Sequence, residues 1–120
     1  MSVDSVNIDE LAANALLTEF NQNQIYHDNI PDDGHYPMIC YKDISETPVL
    51  HADNKLYGKE HIIRVTVVTL GNSGINELKD KIYQCMVDAG FMWQSTAKVQ
   101  DDREFYTSLD FSIGNLVNQV

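Results

Sequence analysis

Between Glu104 and Ile113 the chain alternates strictly. Phe105, Thr107, Leu109, Phe111 and Ile113 fall on one side; Tyr106, Ser108, Asp110 and Ser112 fall on the other. Alternation of this kind marks a strand with one buried and one solvated face. Such a strand needs partner strands and a cover for its apolar side, and the rest of the chain must supply both.

Glu60–Leu70 is rich in Ile, Val and Thr and reads as a second strand. Ile63, Val65 and Val67 share one face; Ile62, Arg64, Thr66 and Val68 share the other, which is half polar. Two further strands are expected at Met38–Ile44, opened by Pro37, and at Phe91–Lys98, with the charged turn Gln100–Arg103 after it. Ile8, Leu11, Ala12, Ala15, Leu16 and Phe20 recur at helical spacing and predict a helix over 8–21. Asn7 is placed to cap it, with Asp9 and Glu10 at its positive end. Ile75, Leu78, Ile82, Cys85, Met86 and Ala89 predict a second helix over 74–89. Asn72 or Ser73 would cap it, and Gly90 would supply a left-handed residue at its end.

Residues 21–36 read as a loop of turn formers pinned by Tyr26 and Ile30, and residues 45–59 as a long connection. The expected class is α+β, in the order α-β-β-α-β-β. Two hairpins form a four-stranded antiparallel sheet, with the helices packed on one face. A chain of 120 residues suits one domain over 1–120, with loose termini at 1–6 and 114–120.

Charge narrows the function classes. With 18 acidic and 8 basic residues the net charge is −10, and Lys and Arg are not clustered. That argues against binding phosphate backbones or anionic membranes. The longest apolar run, Ile62–Leu70, carries Arg64 and is too short to span a bilayer. Met1-Ser2-Val3-Asp4 offers no basic region or apolar signal core, so residence in a cytoplasm is expected. Cys40 and Cys85, single and widely separated, fit that compartment.

The residues that could carry chemistry do not converge. His51 and Asp53, near Glu60 and His61, lack the spacing of a metal site and read as a solvated loop. Cys40 falls within a strand and Cys85 on an apolar helix face, where Cys acts as a small hydrophobe. The acidic groups Asp28/Asp32/Asp33 and Asp101/Asp102/Glu104 lack a calcium-loop pattern and read as solvated turns. Gly71–Gly74 lies between strand and helix but lacks the residues of a phosphate loop. Phe91 and Trp93 read as packing beneath the second helix rather than as a base-stacking platform. No catalytic residue, cofactor or metal ligand is expected.

One ordered set of segments goes further. Pro37-Met38-Ile39-Cys40-Tyr41-Lys42-Asp43-Ile44 is followed by Thr47-Pro48 and by Ala52-Asp53-Asn54-Lys55. An Ile/Val/Thr-rich strand comes next, then a helix ending in Ala89-Gly90-Phe91, then Asp101-Asp102 leading to Phe105-Tyr106 and Phe111. This order, over about residues 36–113, resembles the small tail-completion, or tail-to-head joining, proteins of long-tailed phages. Met92-Trp93 and Asp110 depart from it, standing where basic residues are often found.

The resemblance implies a non-enzymatic virion protein that completes the tail and joins it to the head connector. It implies similarity in fold to tail terminators, which form six-membered rings. The expected partners are copies of the chain itself, as a ring or hexamer, the tail tube protein and the head connector proteins. DNA would pass nearby without specific binding, repelled by the acidic charge. No membrane is involved, and the expected location is the host cytoplasm during assembly and then the virion. The expected partner-contact segment is Leu50, His51, Ala52, Asp53, Asn54, Lys55, Leu56 and Tyr57, apolar residues set among polar ones in a long loop. The alternative left open by charge alone is a small acidic adaptor or inhibitor outside the virion.

Overall fold

The computed structural model of the chain describes residues 7–32, 34, 36–50, 56–71 and 74–116. The first helix, α1, spans Ile8–Leu17 and starts as the sequence predicts: Asn7 accepts a hydrogen bond from the Glu10 amide at 3.1 Å through its side chain. It is shorter than expected, closing at Thr18, whose hydroxyl donates to the Ala15 carbonyl. A 3-10 turn at Gln22–Gln24 leads into a short strand, β1, at Ile25–His27. β2 spans Met38–Leu50 and β3 spans Leu56–Leu70. The second helix, α2, spans Ile75–Asp88; β4 and β5 follow at Met92–Asp101 and Glu104–Leu116.

These strands form one five-stranded sheet in the order β1-β2-β3-β5-β4. All neighbours are antiparallel except β1, which runs parallel to β2 with Ile25 opposite Ile39 and His27 opposite Tyr41. The expected four-stranded antiparallel sheet is therefore a mixed five-stranded one. β1 lies in the stretch read as loop because three residues between Asn-rich turns are too few to show a period.

The connection expected over 45–59 is mostly strand. β2 continues to Leu50 and β3 begins at Leu56, paired from Ser45↔Ile62 to Leu50↔Leu56. Pro48 suggested a break, but the outer side of β2 past β1 is a sheet edge. Pro48 stands in the ladder opposite Lys59, and proline is tolerated in an edge strand where its N side faces away from the partner. The helix cap expected at Asn72 or Ser73 stands instead at Gly74, in a left-handed conformation with no side-chain bond; Asn72 and Ser73 lie outside the described residues. Gly90 does end the helical segment with positive φ.

Register shows why both helices share one face. Ile39, Val67 and Thr107 stand side by side across β2, β3 and β5, as do Tyr41, Val65 and Leu109. Ile63 and Phe111 continue this face, which packs against Ile8, Ala12, Ala15 and Leu16 of α1 and Ile82, Cys85 and Met86 of α2. Burial at these positions, at about 25 cal/mol per Å², is the main favourable term holding helices to sheet. The other face is not uniformly open. At one end Met38 and Val68 are buried, with Met38 and Pro31 both close against Gly34 of the loop following β1. That loop reaches β5, where the Tyr36 hydroxyl bonds the Glu104 carboxylate.

Candidate functional site

The groups able to do chemistry are dispersed or satisfied. His61, at 7% exposure, shares a hydrogen bond with Asp43 Oδ2 through Nδ1 at 3.0 Å, on the helix-covered face where the apolar core ends. Both Cys40 and Cys85 are buried free thiols. Burial raises both pKa values, Cys85 to about 11, so neither is a thiolate at neutral pH. They stand apart in the fold: Cys85 belongs to the core beneath α2, whereas Cys40 pairs with Thr66 on the opposite sheet face. Among the described residues no group of three or more His, Cys, Asp or Glu side chains is placed to hold a metal ion. His51 and Asp53 lie outside the described residues.

What the fold presents instead is surface of two kinds. The first is a projecting arm. β3 alone has 15 residues, which at ~3.3 Å each spans roughly 50 Å. This accounts for the longest dimension of the molecule, 51 Å against 24 Å in the other two. The arm is three-stranded at its root, where Lys59 and Glu60 pair with β2 on one side and β5 on the other. At Ile44, before the arm, the β2–β3 register shifts between Asp43 and Ser45. Of the eight residues expected to contact a partner, Leu50 closes β2 and pairs with Leu56 at the start of β3, and Tyr57 follows Leu56 in β3. His51, Ala52, Asp53, Asn54 and Lys55 lie outside the described residues. Leu50, Leu56 and Tyr57 thus belong to the paired ends of β2 and β3 rather than to a long loop.

The second is the β4 edge, which sequence reasoning missed. Every residue of β4 is exposed. Trp93 stands opposite Phe111 on the helix-covered face, as expected, but α2 does not cover it and it remains 46% exposed. Only Phe91, just ahead of the strand, is buried in the core. The Trp93 Nε1 donates to Thr96 Oγ1 at 3.0 Å across the bulge between Trp93 and Ser95. Trp93, Thr96 and Leu109 line a groove of about 280 Å³ with Lys79, Asp80 and Tyr83 of α2. Met92 and Val99, at 67% and 62% exposure, stand opposite Ser112 and Tyr106 and so project on the other face of the same strand. The available signal was the absence of a charged residue from Phe91 to Ala97 together with a helix too short to shield a whole strand.

The sheet face away from the helices is polar at its centre. Arg64 donates to Asp110 through Nε at 2.8 Å and Nη2 at 3.1 Å, a paired contact that raises the Arg64 pKa. Thr66 and Ser108 hydroxyls bond at 2.9 Å beside it. No helix among the described residues is long and apolar enough to cross a membrane.

No protein-family profile matches the chain. No curated protein matches it either. Among solved structures it is similar to a chain in the virion of a native gene transfer agent particle. The TM-score is 0.50 at 15% identity, over 98% of this chain and 92% of that one. At that identity the likeness is one of fold.

Proposed function

We propose that the chain is a structural protein of a phage or phage-like virion that completes the tail and joins it to the head connector, as a ring around the DNA path. The observation that carries this is the near end-to-end likeness of fold to a gene transfer agent virion chain. Two features support it. Surface, rather than a cluster of reactive groups, is what the fold presents among its described residues. The net charge of −10 would also multiply around a ring and disfavour adhesion of passing DNA.

In this reading Leu50–Tyr57 is the contact to the tail tube or connector, since Leu50 and Leu56 close the β2–β3 pairing at the end of the arm. Removing residues 50–57 shortens the arm without touching the helix–sheet core. The expected outcome is a folded protein that no longer supports particle joining, scored as unjoined heads and tails by electron microscopy. Normal particles from the deletion would reject the hairpin contact. Absence of the chain from purified particles, by mass spectrometry, would reject the virion role itself.

A further inference from the structure

β1 and β2 are parallel neighbours, so the chain must return along the sheet between them, from the level of Tyr41 to that of Met38. It returns on the face without helices. Ile39 belongs to the helix-packed core, so Met38 and Cys40 project the other way. A Cβ added at Gly34 would collide with Met38 Sδ, so the backbone of the returning segment lies directly against that side chain. Met38, Val68, Tyr106 and Val99 form one row across β2, β3, β5 and β4. The row is buried at Met38 and Val68, at 2% and 0% exposure, and open at Val99. Cys40 is buried in the next row, opposite Thr66. Burial and, to a smaller degree, the Asp28 carboxylate raise its pKa, which sets the start of the segment near it.

This cover is lightly held. None of the described residues from Asn21 to Pro37 is buried, although those beneath them are. Besides the seat on Met38, the hold rests on ties at the two ends. At one end the three residues of β1 pair with β2, the Asp28 amide donates to the Tyr41 carbonyl at 3.0 Å, and the His27 ring stacks on Tyr41 with centroids 4.7 Å apart. At the other end the Tyr36 hydroxyl donates to one oxygen of the Glu104 carboxylate, and the Tyr106 hydroxyl donates to the other. Tyr36 is 39% exposed, so water competes for its bond. A segment with few buried contacts opens at lower free energy than the core it rests on.

We infer that the segment between β1 and β2 is a latched cover: it lifts from the sheet while the helix–sheet core stays folded, and the Tyr36–Glu104 bond sets how often it does so. Lifting uncovers Met38, Val68 and Cys40, and joins the first two to the exposed Val99 in a continuous apolar row. The row lies at the end of β3 remote from the arm. This device is a property of the fold and does not rest on the virion role proposed above.

The two thiols supply the test, Cys40 beneath the cover and Cys85 in the core as internal control. The full chain is labelled with N-ethylmaleimide at fixed pH, with and without urea below the unfolding transition, and each site is followed by peptide mass spectrometry. Where closing outpaces labelling, the rate reports the open population. Cys40 is expected to label faster than Cys85. Its rate should hardly change with urea, because lifting the cover exposes little surface, whereas the Cys85 rate should rise steeply. Tyr36→Phe should speed Cys40 labelling about fivefold, the effect of one lost hydrogen bond. Tyr106→Phe leaves Tyr36 and its carboxylate in place and should change the rate less. Circular dichroism confirms that both variants are folded. Four results overturn the inference. Equal rates and equal urea dependence at the two thiols would mean that Cys40 is reached only by unfolding of the core. A wild-type Cys40 as fast as an exposed thiol would mean that nothing covers it. No change with Tyr36→Phe, or an equal change with Tyr106→Phe, would mean that Tyr36 is not the latch.

Discussion

On α2 the Cys85 thiol donates to the Ile82 carbonyl at 3.3 Å inside the core. Burial, with Glu19 adding a smaller effect, pushes its pKa from 9.0 up to about 11. The folded chain therefore keeps this proton over a range in which the unfolded chain loses it. Its contribution to stability is fully present below pH ~9 and is lost as pH rises through ~11, at most about 2–3 kcal/mol. Urea unfolding at successive pH values should show this decline. Cys85→Ala should flatten the slope even though it lowers stability overall. An unchanged slope would assign the decline to the raised tyrosines Tyr36, Tyr41 and Tyr106, and to Cys40, instead. The Asp43–His61 hydrogen bond gives a second prediction at this scale. Truncation by Asp43→Ala strands a ring nitrogen of a nearly buried His61 and should cost ~1–3 kcal/mol in the same urea assay. Adding His61→Leu should recover part of that cost, because the unpaired polar group is then gone.

Among the elements, those with several turns of period were legible from the residues. The stripe of Ile8, Ala12, Ala15 and Leu16 and the alternation through Leu109 and Phe111 both appear where expected and face the same core. Elements whose stability is set by neighbours were not legible. β1 pairs only with β2, and β2 past Pro48 is held by its pairing with β3, from Ser45 opposite Ile62 to Leu50 opposite Leu56. The arm's length and the exposure of Trp93 depend on where the helices stop relative to the strands, a tertiary fact that local pattern does not encode. The burial difference makes β4 and β5 separable by experiment. Trp93→Ser should cost under ~1 kcal/mol, since the ring is nearly half exposed, whereas Phe111→Ala empties a fully buried site and should cost ~3–5 kcal/mol. Chemical denaturation of the two variants compares them directly. Equal losses would mean that Trp93 packs as the sequence alone suggested.

For the molecule as a whole, charge and shape pull in different directions. The elongated body and free β4 edge offer surface for neighbours, while −10 per copy opposes bringing copies together. The two effects act over different ranges. Repulsion between net charges is spread over tens of ångströms and is screened within ~30 Å at 0.01 M salt and ~8 Å at 0.15 M. Direct contacts between charged groups at an edge act within ~4 Å and survive moderate salt better. Self-association should therefore strengthen as salt rises from about 0.01 M to about 0.15 M, the reverse of a contact driven by overall opposite charge. Near 1 M, where screening acts within ~3 Å, the ion-pair part should fade and leave the apolar part carried by Trp93, Met92 and Val99. Light scattering across this salt series gives the apparent mass at fixed protein concentration. An oligomer that dissociates steadily from the lowest salt upward would show that net repulsion is not the opposing term, and that a few strong ion pairs hold the copies together.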